Sequence, residues 1–192
     1  MSYQAQDFQA LIGLPGFSDQ LLTNHFTLYQ GYVTNTNKVS DELAQLASDG
    51  QTATPHFAEL KRRFGWEWNG VRLHELYFSN LTKTPAPLDT NSNLGQKIIA
   101  QFGSIENWQA QFKATGTIRG IGWVILYYDE STDTLTNTWI NEHDGGHLAG
   151  AKPLLIMDVF EHAFMVDYGL KRADYLDAFM AAINWQAVSN RL

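Results

Sequence analysis

The stretch Asp158-Val159-Phe160-Glu161-His162 lies where an apolar run, Pro153 to Met157, gives way to a predicted helix. Residues four positions apart share one face of a helix, so its start can direct the carboxylate of Asp158 and the imidazole of His162 at one point. Such a pair suits a first-row transition metal. Short motifs have a high false-positive rate, however, and an N-capping aspartate beside a buried, hydrogen-bonded histidine is the commoner explanation.

Around this stretch, the C-terminal half of the chain mixes strands and helices. The β-branched and aromatic residues from Gly122 to Tyr128, a polar turn, and the alternating residues from Thr134 to Ile140 predict a hairpin. The run at 153–157 predicts a third short strand. The remaining pattern predicts helices at 94–102, 105–115, 160–168 and 173–185.

The N-terminal half shows helical patterns only. With Ser18 as its N-cap, a long helix is predicted to run towards Lys38, and its apolar face includes His25. Further helices are predicted at 41–47, 57–64 and 71–81, and the stretch 65–70, which begins and ends with glycine, interrupts the pattern between the last two.

A proline-containing segment, Lys83 to Asp89, separates the two halves and is the best linker candidate. The sequence therefore predicts an α+β fold. An N-terminal helical hairpin domain, residues 1–85, is followed by an α/β domain with a three-stranded antiparallel sheet, residues 86–192.

Composition excludes several classes of function. The 192 residues include 20 acidic and 13 basic ones, a formal charge of -7, which argues against nucleic acid or an anionic membrane as a partner. Cysteine is absent, so disulfides, thiolate catalysis, iron–sulfur clusters and cysteine-bound zinc are excluded. The chain has no apolar run long enough to span a bilayer and no secretory signal pattern, which predicts a cytoplasmic protein.

Histidines supply the other candidate metal ligands. His25 and His74 both fall within apolar helical patterns, where a single histidine is more often a hydrogen-bonded core residue. With Asp158 and His162 they give three imidazoles and one carboxylate, all predicted to face the interior and drawn from both halves. Such a set leaves a coordination position open and favours iron or manganese over structural zinc.

Three other residues are candidates with weaker support. Tyr32 follows His25 by seven residues, which places the two within about 20° of each other on a helix, although an ordinary core tyrosine is the better explanation of Tyr32 alone. His143 and His147 bracket Asp144-Gly145-Gly146, and the glycines predict a surface loop rather than a helical pair.

The chain resembles the iron/manganese superoxide dismutase family over nearly its whole length. The residues Asp158 to Phe164 are similar to the family signature D-x-W-E-H-A-[FY]. The stretches 167–175 and Asn184-Trp185 follow in the family's order and spacing, and the segments 32–37, 102–104 and 120–123 also fall where the family has similar sequence.

The resemblance implies a superoxide dismutase that converts superoxide to dioxygen and hydrogen peroxide at one iron or manganese ion per subunit. The implied metal ligands are His25, His74, Asp158 and His162. The other implied site residues are Tyr32 beside the substrate funnel, Arg172 near its mouth, and His143, or alternatively His147, as the histidine that hydrogen-bonds metal-bound solvent. A homodimer is also implied, in which Glu161 reaches the partner's His162.

Two other functions remain open on the sequence. A mononuclear iron oxygenase also uses histidine and carboxylate ligands with open positions, but needs a roomy pocket for an organic co-substrate. The second open function is that of a metal-binding protein on the same scaffold, with weak or no dismutase activity.

Several departures from the family pattern bear on the dimer, the proton route and the first ligand. Phe160 replaces the signature tryptophan, and Met165 replaces a tyrosine that pairs across the dimer with a histidine, whose place is taken by Leu28 or Tyr29. The family usually has eight residues from the first ligand to the tyrosine, an interval that calls for a bulge in the helix, whereas this chain has seven. Seven residues need no bulge, so we predict a regular first helix with His25 still facing the metal.

Overall fold

Two long antiparallel helices form the N-terminal part of the computed structural model, which describes residues 2–192. They are α1 (Asp19–Ser48) and α2 (Pro55–Ser79). Both begin with a side-chain cap: the Ser18 hydroxyl accepts a hydrogen bond from the backbone N–H of Leu21, and the Thr54 hydroxyl accepts one from Phe57. The predicted helical hairpin and the predicted Ser18 cap are confirmed.

The two helices are longer than the sequence predicted. The helix expected at 41–47 is the end of α1, and those expected at 57–64 and 71–81 are a single helix that runs through the stretch 65–70. Glycine lowers helix propensity by about 1 kcal/mol, but packing outweighs this cost here. Gly70 is buried against the ring of Tyr32 in α1, so the packing of the two helices requires a glycine at this position.

The C-terminal part consists of two helices followed by the sheet. The helices are α3 (Asn93–Phe102) and α4 (Ile105–Gly116), and the strands are β1 (Gly122–Asp129), β2 (Thr134–Asn141) and β3 (Lys152–Asp158). The sheet is three-stranded and antiparallel, as predicted, and its strand order is β2-β1-β3. Because β1 is central and buried along seven of its eight residues, its sequence is continuously apolar rather than alternating.

The segment after β3 is less regular than predicted. A 3₁₀ turn (Glu161–Ala163) and the short helix α5 (Met165–Tyr168) replace the helix expected at 160–168. An Asp158 carboxylate oxygen accepts a hydrogen bond from the Phe160 backbone N–H, a local turn that competes with a helix at this point.

The last predicted helix is also divided. Two helices, α6 (Arg172–Ala181) and α7 (Trp185–Ser189), replace the single helix expected at 173–185, and the side chain of Asn184, the N-cap of α7, accepts a hydrogen bond from the Ala187 backbone N–H. The local N-cap therefore starts a new helix where periodicity alone predicted a continuation.

The hydrophobic core extends through both halves. Its largest fully buried side chains include one from each of α1, α2, α4, β1 and α6, namely Tyr29, Tyr77, Trp108, Trp123 and Phe179. This packing brings the interior face of the helical hairpin against the end of β3. No helix within residues 2–192 has both the length and the apolar character needed to cross a bilayer.

Candidate metal centre

Four side chains from four elements converge where the helical hairpin meets the sheet. His25 comes from α1, His74 from α2, Asp158 from the last position of β3, and His162 from the following 3₁₀ turn. One nitrogen or oxygen atom of each lies within 4.8 Å of the others. The first three are fully buried, and His162 is partly exposed.

The carboxylate of Asp158 is the centre of this cluster. Its Oδ2 lies 3.1 Å from Nε2 of both His25 and His162, and 3.7 Å from Nε2 of His74. The backbone carbonyl of Asp158 accepts a 2.6 Å hydrogen bond from the Tyr175 hydroxyl. The other carboxylate oxygen, Oδ1, accepts a hydrogen bond from a backbone N–H two residues further on, so Oδ2 is the oxygen that faces the three imidazoles.

The tautomer of His74 shows that the cluster fits a cation. Its Nδ1 is hydrogen-bonded to the Gly70 carbonyl, which can only accept, so Nδ1 carries the proton and Nε2 carries a lone pair. That Nε2 is buried without a hydrogen-bond partner and faces a carboxylate oxygen. Two buried electron-rich atoms facing each other are unfavourable by themselves, and a metal ion between them would stabilise both.

Ionisation states in the cluster also suit metal binding. Burial lowers the pKa of His25 and of His74, more than the nearby Asp158 raises them, so both imidazoles are neutral near pH 7. Burial opposes ionisation of Asp158, but the interaction with His162 and the hydrogen bonds from His162 and His25 outweigh it and hold the pKa of Asp158 well below its usual range. Neutral imidazoles and an ionised carboxylate are the forms that bind metals.

A second set of hydrogen bonds lies beside the cluster. The Tyr32 hydroxyl is 2.8 Å from Nε2 of His143, and Nδ1 of His143 accepts a 3.1 Å hydrogen bond from the indole N–H of Trp123. Because Nδ1 accepts, Nε2 of the neutral ring carries the proton and donates to Tyr32. Burial lowers the pKa of His143 to about 4, which keeps this ring neutral at pH 7.

The structure distinguishes the two loop histidines. His143 is fully buried and contacts Tyr32, whereas His147 contacts the Tyr127 hydroxyl and the backbone carbonyl of His143. The expectation that both lie on a surface loop is wrong for His143, because the turn after β2 folds inward against α1 and β1.

Arg172 and Glu161 lie on the outside of this region. The Arg172 guanidinium donates hydrogen bonds to the backbone carbonyls of Ile118 and Gly120 at 2.8 Å, in the turn that joins α4 to β1. Arg172 and the exposed Glu161 both line a surface groove, which has a volume of about 410 Å³.

Sequence reasoning missed two aromatic neighbours of the site. The Trp66 ring lies 4.5 Å from that of His143 and 5.6 Å from that of Tyr32, and its indole N–H donates to Glu142. Trp66 lies in the stretch 65–70, which was interpreted as an interruption. On a continuous helix through this stretch, Trp66 lies two turns before His74.

Phe160 is the second neighbour, and only its departure from the family pattern had been noted. Its ring stacks on His143 at 4.8 Å and on His162 at 5.2 Å between centroids. Phe160 therefore forms an apolar wall that touches both groups of site residues.

Comparison with known proteins identifies the family. The model for the C-terminal domain of iron/manganese superoxide dismutases matches residues 90–191. Superoxide dismutase [Mn] 1 of Halobacterium salinarum is 36% identical over 96% of this chain and 90% of its own length. Superoxide dismutase [Fe] of Cupriavidus metallidurans is 39% identical over 93% and 89%, and superoxide dismutase [Fe] of Aquifex aeolicus is 34% identical over 98% and 90%. The chain belongs to the iron/manganese superoxide dismutase family.

Proposed function

We propose that this protein is a superoxide dismutase, which converts two superoxide ions and two protons to dioxygen and hydrogen peroxide. The observation that carries the proposal is the convergence of three imidazoles and one carboxylate in a buried cluster beside a tyrosine–histidine pair. The relatives named as iron or manganese superoxide dismutases support it, since they align with almost the whole chain.

In this proposal His25, His74, Asp158 and His162 hold one iron or manganese ion. The bound ion supplies the one-electron redox couple of the reaction. The single carboxylate partly neutralises the ion, while the three neutral imidazoles add no charge. Burial of His25, His74 and Asp158 restricts the access of solvent to the ion.

Tyr32 and His143 form the proton-donating pair of the proposed site. Since His143 donates to the Tyr32 oxygen, the hydroxyl proton of Tyr32 is free to point to another acceptor. Burial raises the pKa of Tyr32 well above its usual range, so the hydroxyl keeps its proton at neutral pH. The pair is thus a neutral donor beside the place where peroxide must gain protons.

Arg172 is proposed to attract superoxide towards the cluster, because it adds positive charge close to Glu161 on a protein with a net charge of -7. Its hydrogen bonds to the turn before β1 fix the position of that charge. If it acts this way, replacing Arg172 with glutamate slows turnover most strongly at low salt.

We propose that the protein forms a homodimer in which Glu161 contacts the partner's His162. Exposure of Glu161 and partial exposure of His162 in a single chain are compatible with this contact. The apolar side chains of Leu28 and Met165 are 42% and 39% exposed, which a dimer interface would cover. Sedimentation equilibrium measures the association.

The division into residues 1–85 and 86–192, with the metal site between them, is also a proposal. The irregular segment between Leu81 and Asn93 supports it, as does the origin of His25 and His74 on one side of that segment and of Asp158 and His162 on the other. The cytoplasmic location stays a prediction, which cell fractionation tests.

The decisive experiment loads the purified protein with iron alone or manganese alone and measures metal content and superoxide consumption. One equivalent of metal and catalytic turnover in at least one form are expected. Replacing Asp158 with alanine should abolish metal retention, whereas the exposed Asp177→Ala control should retain it. Full metal binding without turnover would instead support the metal-binding protein that lacks dismutase activity.

A further inference from the structure

His147 contacts three separate parts of the fold although it has no place in the metal cluster. It lies in the segment 142–151 between β2 and β3. Its Nδ1 is 2.8 Å from the Tyr127 hydroxyl of β1, and its Nε2 is 2.9 Å from the backbone carbonyl of His143. Nε2 also lies 3.4 Å from the side-chain amide of Asn69 in α2, next to Gly70.

The chemistry of these partners assigns the direction of both short hydrogen bonds. A backbone carbonyl only accepts, so Nε2 of His147 carries a proton and donates to His143. Nδ1 of the neutral ring then has a lone pair and accepts from the Tyr127 hydroxyl. Burial raises the pKa of Tyr127 to about 12, so this hydroxyl keeps the proton that it donates.

The turn that carries His143 is anchored at its start, where the Glu142 backbone N–H donates to the Ile121 carbonyl. Glu142 has a positive φ of 50°, and Gly145 and Gly146 follow within four residues. The backbone of Asn141 pairs with that of Gly145 and closes the turn. Among residues 2–192, the side chain that hydrogen-bonds the His143 backbone is that of His147, so it holds the orientation of this peptide in the middle of the turn.

The His143 ring tolerates little movement, because it has to reach two partners at once. Its Nε2 lies 2.8 Å from Tyr32 and its Nδ1 lies 3.1 Å from Trp123. A displacement of the turn by about 1 Å would lengthen one of these bonds beyond hydrogen-bonding distance.

We propose that His147 is a positioning residue, which binds the His143 carbonyl and thereby keeps the His143 imidazole between Trp123 and Tyr32. The hydrogen bond that the Tyr127 hydroxyl donates to Nδ1 holds the His147 ring in the position from which it can do so. The effect on turnover rests on the proposed function, whereas the effect on the geometry of His143 does not.

The test compares His147→Ala with His147→Gln, whose amide nitrogen can still donate to the His143 carbonyl. In the metal-free full-length chain, the NMR signal of the Trp123 indole N–H, assigned with Trp123→Phe, reports its bond to His143. We expect His147→Ala to shift this signal and to speed its exchange with solvent, and we expect His147→Gln to restore both. In the metal-loaded protein, His147→Ala should lower turnover about tenfold and shift its pH profile, again with rescue by glutamine.

The matched control is His56→Ala, which removes a half-exposed histidine paired with Glu42 on the helical hairpin. It should leave the indole signal, turnover and pH profile unchanged. A wild-type indole signal in His147→Ala would overturn the proposal, and so would equal changes in the alanine and glutamine variants. If the wild-type protein lacks dismutase activity, the proposed function fails, yet the indole signal still decides the role of His147.

Discussion

Gly70 determines where the Tyr32 ring can lie. A Cβ atom added at Gly70 would come within 2.4 Å of Tyr32 Cδ1, and two further ring atoms would lie at 2.8 Å. The Gly70 carbonyl also accepts the hydrogen bond from His74. One residue without a side chain therefore serves the tyrosine and one of the proposed ligands at the same time.

Replacing Gly70 with alanine should displace Tyr32 and weaken its bond to His143. The better helix propensity of alanine gains about 1 kcal/mol, while the clash costs about 1–3 kcal/mol, so we expect unchanged or reduced stability. We also expect turnover to fall about tenfold. The control is Gly65→Ala in the same helix, where the added Cβ has no neighbour within 4 Å. Gly65→Ala should raise the melting temperature without loss of turnover, and equal behaviour of the two variants would contradict the prediction.

The ionisation of His143 makes the stability of the metal-free protein depend on pH. Burial lowers the pKa of His143 from 6.5 to about 4. Between these values the unfolded chain binds a proton that the folded chain does not, so stability falls as the pH falls from about 6.5 to 4. This group accounts for a loss on the order of 3 kcal/mol.

His143→Gln should therefore reduce the difference in unfolding free energy between pH 7 and pH 4.5 by about 2–3 kcal/mol. Urea unfolding of the metal-free chain at the two pH values measures it. His56→Gln, at a half-exposed site on the hairpin, serves as the control and should leave the pH dependence nearly unchanged. An equal pH dependence in the wild type and in His143→Gln would contradict the assignment.

At the scale of elements, the regular geometry of α1 directs His25 and Tyr32 to the same side. The helix is α-helical from Asp19 to Ser48, which confirms the prediction that the seven-residue interval needs no bulge. His25 is fully buried in the cluster, and Tyr32 contacts His143. The seven-residue interval thus keeps both side chains on one face of a regular helix, whereas an eight-residue interval would need a bulge in the helix to do so.

An alanine inserted between Phe26 and Thr27 should disrupt this relation. In a regular helix the insertion rotates His25 by about 100° relative to Tyr32, unless the helix forms a bulge. We expect loss of metal retention, measured by elemental analysis, with helix content unchanged by circular dichroism. An alanine inserted after Gly50, in the turn between α1 and α2, should leave metal retention intact. Retention in both variants would show that α1 absorbs the extra residue.

The elements that sequence reasoning predicted well are those with strong local signals. The sheet and the capped start of α1 follow from residue type and spacing, and both were predicted within a few residues. The continuity of α2 was not predicted, because the reason for Gly70 lies on another helix. The division after β3 was missed as well, since an aspartate hydrogen bond to Phe160 competes with helix formation there.

Prediction of the candidate site was limited in the same way, because contacts between residues distant in the chain are not visible in the sequence. The four clustered residues could be selected as histidines and a carboxylate on interior faces, and their proximity became visible only in the folded chain. The choice between His143 and His147 depended on the path of one turn. Trp66 was interpreted only as a core aromatic residue, because its local sequence suggested a break in the helix.

At the scale of the whole molecule, Arg191 joins the two parts of the fold that carry the cluster. Its guanidinium donates to the Leu76 carbonyl and the Ser79 hydroxyl at the end of α2, and also to the Leu154 carbonyl of β3. His74 lies on the same helix as the first two acceptors, and Asp158 ends the same strand as the third. Burial lowers the pKa of Arg191 to about 10, which still leaves it charged at neutral pH.

Replacing Arg191 with methionine should therefore weaken the whole fold and the metal site together. The change removes the hydrogen bonds that a charged, partly buried group makes to two backbone carbonyls and a hydroxyl, so we expect a loss of about 2–3 kcal/mol. We also expect faster release of the bound metal to a chelator, because α2 and β3 lose a direct connection. Arg62→Met removes an exposed pair with Glu59 and should leave the free energy of unfolding nearly unchanged. An Arg191→Met variant that lost stability but released metal at the wild-type rate would disprove this role of Arg191. In that case α2 and β3 would hold the metal cluster together without the Arg191 hydrogen bonds.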